Sequence, residues 1–261
     1  MEDGEIKVIT INVNGIRAAE KKGLFQWLEK EDPDFICLQE VRAQIEDMKL
    51  DTFWPEGYFC HHEVAEKKGY SGTALFSKLE PTEIIHGLGS DEFDIEGRYI
   101  ECHFNDFVIA STYFPSGSSG DARQEAKYRF LDIFRKKLES MNNKKISYLF
   151  CGDVNIVHKE IDITNWKANQ KNSGCLPEER AWLDEIFNRL KCIDGFRAVN
   201  DESEQYTWWS NRGNAWANNV GWRIDYQIFN NHFAYKVRSA SIYKDERFSD
   251  HAPLIIEYEN T

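Results

Sequence analysis

Short apolar runs alternate with helix-period stretches along the whole chain. The runs Ile6–Ile11, Phe35–Leu38, Gly72–Phe76, Tyr99–Phe104, Phe107–Tyr113, Ile146–Phe150, Ile224–Phe229, Val237–Ile242 and Leu254–Tyr258 carry Val, Ile, Phe and Tyr. Many of them alternate imperfectly, as strands packed on both faces do. Between them, Gly23–Lys30 places Leu24, Trp27 and Leu28 on one stripe, and Ala122–Glu139 does the same with Ala126, Phe130, Ile133, Phe134 and Leu138. Pro177–Leu190 opens on Pro-Glu-Glu, a favourable first helical turn, and carries Trp182, Ile186 and Phe187 at helical spacing. The interleaving predicts an α/β fold. A faint internal likeness sharpens it: one apolar strand ends in Asn12-Val13-Asn14, another in Asp153-Val154-Asn155, and each is followed downstream by a helix. Sheets packed face to face with helices outside would bring both clusters to one rim, which predicts two stacked sheets flanked by helices.

Composition narrows this little but usefully. A chain of 261 residues with 41% hydrophobic and 14% aromatic content can build one large core, so residues 1–261 read as a single domain. The richest linker candidate, Pro115-Ser116-Gly117-Ser118-Ser119-Gly120, is short and lies between a strand and a helix pattern, so it reads as a loop. No window resembles a signal peptide or a membrane span, and the acidic start Met1-Glu2-Asp3-Gly4 leads straight into a strand, which implies a cytoplasmic protein. Cysteines 37, 60, 102, 151, 175 and 192 form no Cys-x-x-Cys pair and fit free thiols in a reducing compartment.

The formal net charge of −12 argues only weakly against a nucleic-acid partner, since total charge says little about one face. Basic pairs stand at Lys21-Lys22, Lys67-Lys68 and Lys144-Lys145, and Arg17, Arg98, Arg123 and Arg212 lie in loop-like settings. The acidity points to a local, metal-assisted grip on phosphates rather than broad coating of a duplex.

The candidate chemistry sits where strands end. Glu40 follows Phe35–Gln39, Asn12 and Asn14 end another run, and Asp250 precedes the last strand. Such hard oxygen donors with room for water suit Mg²⁺ or Mn²⁺ better than zinc. Asp153 and Asn155 are two apart, so on a strand they would face the same side, a carboxylate to activate water beside an amide that donates to a developing oxyanion. His251 needs an orienting partner, and Asp225, embedded in an apolar run where a lone carboxylate is costly, is the natural one. Tyr113 closes its strand just before Phe114-Pro115 and would bring its phenol to the same rim. Singly, each has an ordinary reading: a solvated strand end, a polar turn, a wet tyrosine. Their number points to a site.

Ten short motifs in order then carry a resemblance. They are Asn12-Val13-Asn14-Gly15-Ile16-Arg17-Ala18, Leu38-Gln39-Glu40, Gly69-Tyr70-Ser71-Gly72, Glu96-Gly97-Arg98, Tyr113-Phe114-Pro115, Gly152-Asp153-Val154-Asn155-Ile156-Val157-His158, Lys171-Asn172-Ser173-Gly174, Tyr206-Thr207-Trp208-Trp209, Val220-Gly221-Trp222-Arg223-Ile224-Asp225-Tyr226 and Ser249-Asp250-His251. Over essentially its whole length the chain resembles the exonuclease III branch of apurinic/apyrimidinic (AP) endonucleases, in the endonuclease/exonuclease/phosphatase superfamily. The resemblance implies a four-layered α/β sandwich, two mixed β-sheets flanked by helices. It also implies a monomer, with no membrane association, acting on double-stranded DNA that contains abasic sites. The reaction implied is Mg²⁺-dependent hydrolysis of the phosphodiester 5′ to the abasic site, Mn²⁺ substituting, to leave a 3′-hydroxyl and a 5′-deoxyribose phosphate. Trimming of 3′ ends and 3′→5′ exonuclease activity are its companions.

Carried over residue by residue, the resemblance makes Glu40 the chief metal ligand, with Asn12, Asn14 and Asp250 helping and Asp153, Asn155 and His251 close by. Asp153 would activate the water. Asn155 and His251 would hold the phosphate, with Asp225 behind His251 and Tyr113 assisting. Trp208 and Trp222 would wall a pocket for the flipped abasic sugar, though both also read as core aromatics. Arg212 would probe the minor groove, and Arg17, Tyr70, Asn169 and Asn172 would contact backbone phosphates. Two positions depart from the family: Asn14 stands where some members have Asp, and Ser116 where longer amides occur. The start of the chain, close to its first strand, implies that no N-terminal extension with accessory functions is present.

Two other readings compete. A hydrolase of small or lipid phosphates on the same fold is disfavoured by the aromatic pair and the Lys-Asn-x-Gly segment. A catalytically dead DNA-damage binding module is disfavoured by retention of Glu40, Asp153, Asn155, Asp225, Asp250 and His251.

Overall fold

The computed structural model describes residues 4–261, so Met1–Asp3 of the acidic start lie outside the described residues. In chain order the strands are β1 (Glu5–Asn12), β2 (Phe35–Gln39), β3 (Phe59–Glu63), β4 (Thr73–Ser77), β5 (Glu83–His86), β6 (Tyr99–His103), β7 (Val108–Tyr113), β8 (Tyr148–Asp153), β9 (Ile193–Asp194), β10 (Trp208–Trp209), β11 (Gly221–Trp222), β12 (Asp225–Phe229), β13 (Tyr235–Ile242) and β14 (Leu254–Asn260). The helices are α1 (Ile16–Lys21), α2 (Leu24–Glu31), α3 (Asp91–Asp94), α4 (Asp121–Asn143), α5 (Trp166–Asn169) and α6 (Pro177–Asp184).

Two six-stranded sheets carry the fold, ordered β13-β14-β1-β2-β4-β3 and β5-β6-β7-β8-β12-β9. Their inner faces meet through Val8, Phe35, Cys37 and Leu75 on one side and Ile100, Ile109, Leu149 and Cys151 on the other. The outer face of the first sheet, with Ile9, Ile11, Ile36 and Leu38, is covered by Leu24, Phe25, Trp27 and Leu28 of α2. The second is covered by α4 and α6 through Phe130, Phe134, Leu138, Trp182 and Leu183. The result is the four-layered α/β/β/α sandwich that the family resemblance implies, built on the two stacked sheets read from the apolar runs. β1 shows why both faces are apolar: Val8 points to the neighbouring sheet and Ile9 to the helices, a period of two with both sides buried.

The internal likeness has a structural counterpart. Read as β13-β14-β1-β2-β4-β3 and β9-β12-β8-β7-β6-β5, the sheets share one pattern, in which β1/β2 and β7/β8 are parallel pairs and every other named pairing is antiparallel. The carboxyl ends of β1, β2, β7 and β8 therefore point one way, and the amino ends of β12 and β14 point to the same rim. Beneath it the sheets are pinned by buried hydrogen bonds, Gln39 Nε2 donating to Ser111 Oγ at 3.0 Å and Ser111 Oγ to the Leu38 carbonyl at 3.0 Å.

Some elements depart from the sequence expectation. β3 and β5 were not expected, because Phe-Cys-His-His-Glu and Glu-Ile-Ile-His sit at sheet edges and need no continuous apolar pattern. β8 begins at Tyr148 rather than Ile146 and runs on through Gly152 to Asp153. A Cβ at Gly152 would lie 1.8 Å from the Thr112 carbonyl oxygen, so β7 can pair this closely only with glycine there. The expected helix 177–190 holds as α6 to Asp184 and then widens into a π-helical turn, Glu185–Arg189.

Candidate active site

Strand termination builds the rim. Beyond β1, β2 and β8 the chain turns through left-handed residues Asn14 (φ 45°), Glu40 (φ 52°) and Asn155 (φ 57°). Asparagine tolerates this region; a glutamate there is uncommon, and such strain persists where surrounding structure enforces it. The two halves repeat the same turn: Asn14 N–H donates to Asn12 Oδ1 at 2.9 Å, and Asn155 N–H to Asp153 Oδ1 at 2.9 Å. Asp153 and Asn155 thus meet in a turn. The expectation that both would lie along a strand is corrected, since the strand ends at Asp153.

The rim encloses a cavity of about 690 Å³ lined by all the catalytic and metal candidates except Asp225, which lies buried behind His251. Asn12 Nδ2 donates to Asp153 Oδ2 at 2.9 Å, joining the two sheets across the site. Asp225 Oδ2 lies 2.8 Å from His251 Nδ1, and His251 Nε2 lies 3.8 Å from Asp153 Oδ2. Glu40 Oε1 accepts from the Tyr113 hydroxyl at 2.8 Å and from Arg42 Nη2 at 2.8 Å. Asp250 is held on both oxygens, Oδ1 by Asn14 Nδ2 and Ser249 Oγ, each at 3.1 Å, and Oδ2 by Trp208 Nε1 at 3.1 Å.

Burial sets the charge states. It pulls His251 down, yet the Asp225, Asp153 and Asp250 carboxylates together lift it to about 10, so the imidazole is a cation at neutral pH. Burial, reinforced by Asp225, raises Asp153 to about 7 against the opposing pull of His251 and the Asn12 amide. Burial also pushes Asp250 up, but His251 and its three donors hold it below the ordinary carboxylate range. Burial and the nearby Glu40 and Asp153 keep Tyr113 a neutral phenol.

A divalent ion fits this donor set. Glu40, Asp153, Asp225 and Asp250 outnumber the cations that line the cavity, Arg42, Lys171 and His251, and Asp225 Oδ1 is buried with no hydrogen-bond partner among the described residues. Asp153, Asp225 and His251 bring ligand atoms within 4.8 Å of one another. Asp225 engages His251 Nδ1, which leaves Nε2 as the ring nitrogen facing Asp153. The oxygens of Glu40, Asn12, Asn14, Asp153, Asn155 and Asp250, with the His251 ring, are the donors brought to this one cavity.

Beside this cluster stand Trp208 and Trp222, edge to face with ring centroids 5.8 Å apart. Both are half-buried, line the cavity, and rest on a small apolar group of Val157, Ile163, Cys175 and Ile224. Asn172 also lines the cavity. The other proposed DNA contacts lie outside it. Arg17 is exposed on a neighbouring hollow, and Arg212 is exposed on the β10–β11 connection. Asn169 is half-buried, its Nδ2 on the Asn165 carbonyl at 3.0 Å. Tyr70 is engaged with Glu96, Arg98 and Arg123, so its hydroxyl is part of a protein network.

Sequence reading missed Arg42, which grips Glu40, and Lys127, buried in α4 and donating to the Asn155 carbonyl at 2.8 Å. Lys127 had a signal: it falls on the same buried face of α4 as Phe130, Leu131 and Phe134, where a lysine requires a partner.

Comparison with known proteins agrees. The Endonuclease/Exonuclease/phosphatase family matches residues 9–251. An exodeoxyribonuclease of Bacillus subtilis (strain 168) is 39% identical over 95% of this chain and 98% of its own length. A DNA-(apurinic or apyrimidinic site) endonuclease of Dictyostelium discoideum is 34% identical over 97% of this chain and 71% of its own. Among solved structures, an AP endonuclease from Leishmania major superposes with a TM-score of 0.84 at 26% identity, covering 98% of this chain and 88% of that one.

Proposed function

The chain belongs to the endonuclease/exonuclease/phosphatase family, and from that premise we propose that it is a DNA-repair hydrolase that cuts the phosphodiester 5′ to abasic sites in duplex DNA. The observation that carries this reading is the meeting of Asn12, Glu40, Asp153, Asn155, Asp250 and His251 in one cavity with the paired rings of Trp208 and Trp222.

Each residue has work suited to its setting. Asp153, whose proton affinity burial raises towards neutrality, takes a proton from the attacking water. Asn12 fixes the orientation of that carboxylate through its 2.9 Å bond. The His251 imidazolium, held by Asp225, offers Nε2–H to a phosphate oxygen, and Asn155 adds a neutral amide donor. Tyr113, a neutral phenol on the cavity wall, orients Glu40 and would assist at the scissile phosphate. Glu40, Asp250, Asn12 and Asn14 would hold a divalent ion, for which we propose Mg²⁺ with Mn²⁺ substituting. Bound there, it would neutralise charge on the phosphate and help the leaving oxygen depart. Trp208 and Trp222 would accept a flipped sugar without a base. Arg17, Tyr70, Asn169 and Asn172 are proposed phosphate contacts and Arg212 the probe of the groove; Tyr70 would have to exchange a bond within its present network.

We place the enzyme, as a monomer and a single domain, in the reducing cytoplasm, where its free cysteines are at home. Among the described residues no helix is long and apolar enough to cross a membrane.

A duplex bearing one abasic analogue tests the reading. Incision 5′ to the lesion with Mg²⁺, abolished by chelation, is expected. Binding of the duplex without incision in Mg²⁺ or Mn²⁺ would overturn it.

A further inference from the structure

Lys127 and Glu179 form an ion pair sealed from solvent, Nζ to Oε1 at 2.7 Å, with both side chains 0% exposed. Such pairs seldom stabilise a fold more than apolar residues of the same size, because desolvating two charges offsets their attraction. The reason to keep one must then lie in what else its atoms hold. Lys127 Nζ also donates to the Asn155 carbonyl at 2.8 Å. Glu179 Oε2 accepts from the Gly174 N–H at 2.6 Å and the Leu176 N–H at 3.1 Å. One end of the pair thus grips the left-handed turn that carries Asn155, and the other grips the segment that closes the cavity beside Trp222. Those two segments already touch: a Cβ on Gly174 (φ +92°) would lie 3.1 Å from the Asn155 oxygen and 2.9 Å from Trp222 Cζ3.

We propose that the Lys127–Glu179 pair is a positioning clamp for catalysis, fixing the Asn155 turn against the pocket wall so that the Asn155 amide and the Trp222 ring keep their spacing across the scissile phosphate. Neither residue touches substrate; both act through Asn155 and Gly174. The inference rests on the proposed incision reaction for its kinetic test and on the geometry alone for its physical one. Left-handed Asn155 has few restraints of its own: its N–H bonds Asp153 Oδ1 and its Nδ2 bonds the Phe114 carbonyl at 2.9 Å. Lys127 is the donor that holds its carbonyl, and misplacing a catalytic group by about 1 Å can cost on the order of 10²-fold in rate.

The test separates positioning from folding. Lys127→Met alone leaves Glu179 buried and unpaired, and its melting temperature should fall. Lys127→Met/Glu179→Gln removes both charges while keeping an acceptor for Gly174, and should melt close to the parent. On the clamp account the double variant incises abasic duplex with kcat down by about 10- to 100-fold and KM little changed, as for lost orienting partners elsewhere. Lys127→Arg, which can still reach both partners, should restore most of the rate. A double variant that turns over like the parent, or rates that simply follow melting temperature across the set, would overturn the clamp. Amide hydrogen exchange gives a readout without substrate: Asn155 and Val157, whose N–H donates to the Gly174 carbonyl at 2.8 Å, should lose protection in the double variant while Cys151 and Tyr226 in the sheet keep theirs. Unchanged exchange at Asn155 and Val157 would also overturn it. If the parent itself fails to incise, that counts against the functional reading, and exchange still decides the clamp.

Discussion

Replacing Asp225 by Asn keeps the shape of the side chain and removes its charge. The carboxylate is 0% exposed and meets His251 Nδ1 at 2.8 Å, so little solvent can compensate. Burial alone would hold His251 below its ordinary value of 6.5, and nearby carboxylates, Asp225 foremost, lift it to about 10. At about 1.4 kcal/mol per pK unit the rise represents a preference of several kcal/mol for the imidazolium. An amide in place of Asp225 forfeits the largest share, and His251 should drop back towards or below its ordinary range. If the cation steadies the phosphate, kcat/KM on abasic duplex should fall about 10²- to 10³-fold, the scale of losing a donor aimed at a developing oxyanion. Long-range ¹H–¹⁵N spectra of the histidines report the charge directly: in the parent, the His251 ring should stay doubly protonated well above pH 7, and in the variant it should titrate below that. Stability should follow the same sign. A folded-state pKa raised above the unfolded one gives stability present in full below 6.5 and lost as pH climbs through about 10. The parent's advantage over Asp225→Asn should therefore shrink across that alkaline window. An unmoved His251 titration, or undiminished turnover with a neutral ring, would refute the reasoning.

Trp208→Phe keeps an aromatic wall but deletes the N–H that holds Asp250 Oδ2 at 3.1 Å, so the Mg²⁺ concentration for half-maximal incision should rise several-fold, read by metal titration. A hydrogen bond to a charged group contributes about 1.5–3 kcal/mol, which bounds the change. Glu40→Gln should weaken Mn²⁺ binding at least about tenfold in a direct titration, since a ligand should matter no less than its supports. Asp162, buried between Arg223 and Arg197, is held down to about 2 despite its desolvation. Its stabilisation is present above the unfolded value of 3.8 and lost as pH falls through about 2. Asp162→Asn should therefore lower denaturant stability by about 3–5 kcal/mol at neutral pH, leaving a buried guanidinium short of a partner, and by less near pH 2, which unfolding curves at the two pH values would show.

Much of this was legible because strands packed on both faces leave few places for a polar residue except their ends. Asn12, Glu40, Asp153 and Asp225 stand out against apolar runs for that reason, and the pairing of Asp225 with His251 follows from the expense of a lone buried carboxylate. What the chain concealed depends on contacts distant in sequence. The edge strands β3 and β5 carry no apolar period because one side of each needs no cover. Arg42 reads as an exposed loop cation until the turn at Glu40 folds it back. Lys127 reads as one lysine among many on a charged helix, and only its partner some fifty residues on explains why it is inside. The spacing of Asp153 and Asn155 predicts two side chains on one side of a strand, whereas a left-handed turn brings Asn155 there.

The central claim is that Asp153 activates water for attack on a phosphate that other residues hold. The most direct measurement pairs the single-turnover incision rate of Asp153→Ala with its affinity for an abasic duplex. The account predicts a rate lower by orders of magnitude with affinity largely intact and an unchanged fold. Incision that survives the substitution would contradict it.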